Sequence, residues 1–164
     1  MGQASTPFED VASTSVSVEE DYHGWLQHQA ALLRGRDFAA LDWSNLAEEL
    51  EAMAGAERRE LLRRLTTLYA HLLKMQYQPE PRRARSRKVT ILRSRTEIER
   101  VLKQSPGLRA QFEEFAKEVY PDGRREAATD IGLKRSEWKL IPTTSQWTLQ
   151  QIMDPDFFPL SDAD

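Results

Sequence analysis

Residues 44–78 read SNLAEELEAMAGAERRELLRRLTTLYAHLLKMQYQ, and the fold class turns on how their leucines are spaced. Apolar side chains fall at Leu46, Leu50 and Met53, then at Leu61, Leu65, Leu68, Leu72 and Met75. Steps of three and four put them on one helical face, close to the heptad spacing of a coiled-coil seam. The phase slips once, near Glu57, just after Gly55. One glycine costs a helix only about 1 kcal/mol against alanine, too little to break so regular a segment. The spacing therefore predicts one long helix, capped by Asp42, bent if anywhere at Gly55, and ended at Pro79. At about 1.5 Å per residue it would be about 50 Å long, against a radius of gyration of about 15 Å for a compact globule of this size. Either the bundle is elongated or a second subunit covers part of the helix.

Upstream, Asp21 is a good N-cap for a helix reading YHGWLQHQAALLRG, with an apolar stripe of Trp25, Leu26, Ala30, Leu32 and Leu33 and a stop at Gly35. Downstream, a third helix is expected to start within the stretch PRRARSRKVTILRSR (81–95) and run to Lys103, with Val89, Ile91, Ile98, Val101 and Leu102 apolar. Ser105-Pro106 pairs an N-cap residue with proline at the first helical position. The fourth helix it opens would bury Leu108, Phe112, Phe115 and Val119, be kinked or interrupted at Pro121, and resume through Ala127, Ala128 and Ile131 before Gly132. In WKLIPTTSQWTLQQIMDPDFFP, Thr148 and Gln151 make a capping-box pair for one short helix stopped at Asp154-Pro155. The rest of that segment should lie across the domain and bury Trp138, Trp147 and Phe157. The expected fold is all-α: an elongated bundle of about four main helices, one long and central, with an irregular C-terminal tail packed on it. Residues 19–160 are expected to form one helical domain between a disordered acidic leader (1–18) and a disordered tail (161–164).

The chain has 164 residues, enough to bury a core without covalent or metal staples, and no cysteine. Thiol catalysis, disulfides and Cys-ligated zinc are thereby excluded, and the composition suits a reducing, cytoplasmic setting. No apolar run is long enough to cross a bilayer. Met1-Gly2-Gln3-Ala4-Ser5-Thr6 fits the minimal myristoylation pattern, but an acidic stretch follows where a second, basic membrane signal is wanted. No membrane partner is expected. Net charge is −3, yet residues 81–95 carry seven positive charges and no acid, which leaves −10 for the remainder. This basic band between acidic ends is the strongest charge asymmetry in the chain.

Several phrases together resemble a known family: Asp21-Tyr22 followed by Trp25, LDWSNLAEELE (41–51), HLLKMQYQPEPRR (71–83), SPGLR (105–109) and WTLQQIMDPDFFP (147–159). The chain resembles the bacterial family catalogued as domain of unknown function 29 over roughly residues 20–160. The resemblance implies an all-helical fold in a bacterial, cytoplasmic protein, and it implies no activity. Met75 and Arg87 stand where that family usually has tryptophan, and Ser145-Gln146 replaces a common Cys-Pro. Any role of that cysteine or those tryptophans is absent from this chain.

Three sets of residues are candidates for chemistry. The basic band, Arg82, Arg83, Arg85, Arg87, Lys88, Arg93 and Arg95, could clamp the phosphates of a nucleic acid, as a binding protein or a nuclease would. No aromatic residue is interleaved for base stacking, and an electrostatic partner for the long helix's acidic face, or a solvated surface, is the reading we favour. Asn45, Glu48 and Glu49 share a helical face and could hold a metal or share a proton, but neither glutamate has a histidine three residues on, as di-iron bundles require. Acidic charge near a helix N-terminus accounts for them more simply. His71, Lys74 and Gln78 share a second face, with Tyr77 beside them. A Glu48–His71 centre, the basis for a metal-dependent enzyme, would need the chain to fold back near Gly55 or a second subunit to complete it. His23 and His28 are badly spaced for a metal pair. No phosphate loop, HExxH helix, nucleophile elbow or EF-hand loop occurs, so no metal or cofactor is assigned and no catalytic residue is named. The best-supported role is a helical interaction module that binds a protein partner or a second copy of itself.

Overall fold

The computed structural model of the chain describes residues 17–159. The expected leader over 1–18 and tail over 161–164 fall almost wholly outside them, as does the myristoylation pattern. The described residues are all-α, with no strand among them: α1 is Tyr22–Gly35, α2 Trp43–Tyr77, α3 Pro81–Gln104, α4 Pro106–Arg109, α5 Phe112–Asp130 and α6 Leu149–Met153. Internal contacts divide the chain into two compact units, Met1–Ala54 and Gly55–Asp164. Among the described residues no helix is long and apolar enough to cross a membrane.

In the first unit, the Asp21 carboxylate accepts the Gly24 amide at 2.9 Å and starts α1 one residue later. The helix ends as Arg36 turns into the left-handed region at φ 58°. The buried side of α1 is not the predicted leucine stripe. Trp25 and Gln29, one turn apart, are buried, while Leu26, Ala30 and Leu32 are half-buried and Leu33 is exposed. Gln29 tolerates burial because its Oε1 accepts the Asp42 amide at 2.9 Å. Asp42 in turn caps α2, accepting from the Asn45 backbone amide at 3.3 Å, the Asn45 side-chain amide at 2.7 Å and the Trp25 indole at 3.2 Å. These donors, the Asn45 side chain foremost, hold the Asp42 carboxyl below its usual range.

The second unit is built on α2 from Gly55 onward. Leu61, Leu65, Leu68 and Leu72 are fully buried, as the heptad reading requires, and pack with Ile91, Ile98 and Leu102 of α3 and Phe115, Val119 and Tyr120 of α5. The earlier part of the same stripe behaves differently. Leu46 is half-buried, but Leu50 and Met53 are 60% and 63% exposed. Helix α2 passes through Gly55 without a break.

Helix α3 begins within the basic stretch as expected, at its first residue, Pro81, since proline suits a first helical turn, whose amides need no intrahelical partner. One helix start differs from expectation. The Ser105-Pro106 signal opens only the four-residue α4, because the Ser105 hydroxyl donates to Glu57 instead of capping. Pro121 does not interrupt α5, which runs on to Asp130. Proline removes the hydrogen bond to the carbonyl of Lys117; both residues are exposed, so water can replace it. The T-shaped Tyr69–Tyr120 pair, with centroids 5.1 Å apart, lies within this core. Thr148 and Gln151 form the expected reciprocal cap on α6, and Trp138, Trp147 and Phe157 pack partly buried against the core.

Candidate functional site

The acidic set belongs to the first unit. Glu48 is exposed, Glu49 accepts the Tyr22 hydroxyl, and Asn45 is committed to Asp42. The Tyr22 phenol is raised above its ordinary range chiefly by that hydrogen bond. These contacts tie the start of α1 to α2 and leave no pair of carboxylates converging on one point. Helix α2 shows no reversal of the chain at Gly55. Among the described residues no three His, Asp or Glu side chains gather in a way that could hold a metal ion.

His71, Lys74, Tyr77 and Gln78 lie near the C-terminal end of α2, and their environment is structural in character. The Lys74 ammonium, on a 7% exposed side chain, meets Asp130 at 2.7 Å and Glu126 at 3.8 Å. Gln78 accepts from Arg87, and Tyr77 is packed partly buried at the core edge. His71 Nδ1 is buried without a hydrogen-bond partner. Burial, reinforced by Lys74 and Arg87 and opposed by Asp130, pulls the imidazole down from 6.5 to about 4. A base whose folded pKa is depressed binds its proton more readily when unfolded. Stability from His71 is therefore complete above about pH 6.5 and falls as pH drops toward 4. The loss should reach roughly 2 kcal/mol after allowance for partial screening. Denaturant melts of wild type and His71→Leu should diverge between pH 6.5 and 4, the wild type losing more stability than the variant. Parallel curves would rule out this role for the imidazole.

The basic band is two sets of residues. Arg82, Arg83, Arg85, Lys88 and Arg93 are exposed, and Arg83 pairs with Glu80 at 3.0 Å. Arg87 and Arg95 are only 5% and 3% exposed, which removes them from any solvent-facing phosphate clamp. Arg87 donates to the carbonyl oxygens of Lys74 (2.9 Å) and Gln78 and to Oε1 of Gln78 (3.0 Å). It therefore sets a cation against the carbonyls at the C-terminal end of α2, where the Lys74 oxygen also accepts the Gln78 amide at 3.1 Å. Arg95 donates to the carbonyls of Ile152 and Phe157, each at 2.7 Å, with its guanidinium 5.3 Å from the Phe158 ring centre. Arg124 does the same for Trp138 and Ile141, and the Tyr120 hydroxyl donates to the Pro142 carbonyl at 3.1 Å. The partners of the buried arginines are mostly backbone carbonyls, not the acidic face of the long helix. They hold a C-terminal segment that has little regular structure of its own.

Sequence reasoning missed a cavity of about 710 Å³ in the second unit. Its walls include Tyr69, Tyr120 and Trp147, with Thr144 and the Lys117–Glu113 ion pair also lining it. Burial pushes the Tyr120 phenol up to about 12, so it stays protonated. Nothing in the sequence foretold the cavity, because its walls come from α2, α5 and residues 143–150, far apart in the chain. Size and apolar walls suit a small molecule. Lys117 pairs with Glu113 at 2.8 Å, and the Tyr120 hydroxyl donates to the Pro142 carbonyl.

A second feature is the row formed by Trp43, Leu46, Leu50 and Met53 on the first part of α2. Trp43, at 59%, joins Leu50 and Met53 among the most exposed large apolar residues described. Burial normally claims such side chains, and these three stand in heptad register on one face.

An all-helical protein with a solvent-facing apolar row on α2 is the class these observations define. The chain belongs to the family described as domain of unknown function DUF29, whose model matches residues 18–158. No curated protein matches it. No solved structure matches it.

Proposed function

We propose that this chain is a helical interaction module whose docking surface is the Trp43–Leu46–Leu50–Met53 row. The observation that carries the reading is the exposure of Leu50 and Met53, apolar at the same helical spacing that, past one phase slip near Glu57, buries Leu61, Leu65, Leu68 and Leu72 in the same helix. Knobs at that spacing fit the holes of another amphipathic helix, presented by a protein partner or a second copy. The cysteine-free composition fits a reducing cytoplasm, where we place the protein. No reaction is assigned.

Leu50→Glu combined with Met53→Glu should leave stability within about 0.5 kcal/mol of wild type, since both positions face water. Light scattering after size exclusion should show the wild type above single-subunit mass, or with a partner bound, and the double variant alone. A wild type that elutes strictly as one bare subunit overturns the reading.

A further inference from the structure

Residues 141–148 lie outside any helix, yet the segment is fixed on both sides. Ile141 and Ile152 are fully buried in the core. The Ile141 carbonyl accepts from Arg124 at 2.9 Å, the Pro142 carbonyl from Tyr120 at 3.1 Å and the Ile152 carbonyl from Arg95 at 2.7 Å. Between these pins, residues 143–150 form one wall of the cavity of about 710 Å³, and Tyr69 of α2 with Ala116, Tyr120 and Pro121 of α5 forms another. That volume falls within the roughly 300–1,000 Å³ of small-molecule sites. Walls held in place beforehand spare a ligand the cost of ordering them.

The chemistry of the walls narrows the ligand. Among the described lining residues Glu113 and Lys117 alone carry charge, and they pair with each other at 2.8 Å, one turn apart on α5. A charged ligand would give up its hydration there and meet no unpaired counter-ion. Tyr69, Tyr120 and Trp147 supply three aromatic rings, and ring quadrupoles add edge-to-face attraction to the area that any apolar ligand would bury. Polar groups are gathered on the 143–150 wall. There the side chains of Thr143, Thr144 and Gln150 have no hydrogen-bond partner among the described residues.

We propose that this cavity binds a small uncharged molecule carrying an aromatic ring, which packs against Tyr69, Tyr120 and Trp147 while its polar edge meets Thr143, Thr144 and Gln150. None of these residues belongs to the docking row on α2, so the two readings can fail separately. A ligand seated there bridges α2, α5 and the 143–150 segment. Its binding should therefore slow amide exchange in that segment.

Isothermal titration of the full chain with four probes of similar shape tests it. 2-Naphthol should bind once per chain, with a Kd of about 10–100 µM. Its saturated analogue, decahydro-2-naphthol, should bind about fivefold more weakly for want of an aromatic ring. 2-Naphthoate and 2-naphthylmethylammonium should bind about tenfold more weakly or worse for want of a counter-ion. Thr144→Trp, at an exposed lining position, should fill the cavity and remove binding while circular dichroism matches wild type. Trp147→Leu should weaken 2-naphthol about tenfold. Leu50→Glu with Met53→Glu should leave the affinity unchanged, which separates a failure of the docking row from a failure of the cavity. No binding of 2-naphthol up to about 1 mM, or binding that persists in Thr144→Trp, would overturn the proposal. Tighter binding of the carboxylate or the ammonium than of 2-naphthol would also overturn it, by showing that Lys117 or Glu113 leaves its partner for the ligand.

Discussion

Arg95→Ala should destabilise the protein by roughly 3 kcal/mol, a large fraction of the stability of an ordinary domain. The substitution strips the carbonyls of Ile152 and Phe157 of their donors in a place water does not reach freely, since Arg95 itself is 3% exposed. Hydrogen bonds from a charged donor are worth about 1.5–3 kcal/mol each, and relief of the buried guanidinium's desolvation offsets part of the loss. That desolvation is real: burial draws the Arg95 pKa down, against the pull of Asp154, and its Nη1 has no hydrogen-bond partner. Arg95→Lys should recover little, because an ammonium cannot reproduce the planar fork that reaches two carbonyls at once. Urea melts give the size of the effect. Amide exchange across residues 149–158 gives its location, and unchanged protection there would show that Arg95 does not hold the segment.

Gly123→Ala should lower stability by about 2 kcal/mol, opposite in sign to what helix propensity alone predicts. A Cβ at this position would stand 2.8 Å from Tyr69 Cβ and 3.0 Å from the Thr66 carbonyl oxygen. Neither atom can swing aside, so α2 and α5 would have to separate. Ala70, Ala127 and Ala128, all fully buried, show how little space this crossing leaves. Gly55→Ala is the control. Its new methyl would meet only the far end of the flexible Arg59 side chain, and the gain in propensity should appear as about 1 kcal/mol of added stability. Equal responses at the two glycines would refute the close-approach account.

The long helix was legible because its signal is redundant. Eight apolar positions at helical spacing outweigh one glycine, and α2 spans Trp43–Tyr77 as that pattern implies. The pattern does not say what covers it, so the buried fate of Leu61 and the exposed fate of Leu50 look alike in sequence. The double character of the basic band was more nearly readable. Arg87 and Arg95 lie four residues either side of Ile91, so any face that buries Ile91 takes both arginines with it. Val89, two residues from Ile91, is carried to the opposite side and is exposed. Treating the seven cations as one patch ignored the phase of their own helix. The carbonyls they cap could not be foreseen, since the partners of Arg95 lie 57 and 62 residues away.

Those separations also imply an order of assembly. Arg87 reaches back only 9 and 13 residues, so its cap can close while the α2–α3 hairpin forms. The contacts of Arg95 must wait for a loop several times longer to close, at an added entropic cost of about 1 kcal/mol. The C-terminal segment should therefore dock after the rate-limiting barrier, and disturbing Arg95 should speed unfolding while leaving the refolding rate nearly untouched.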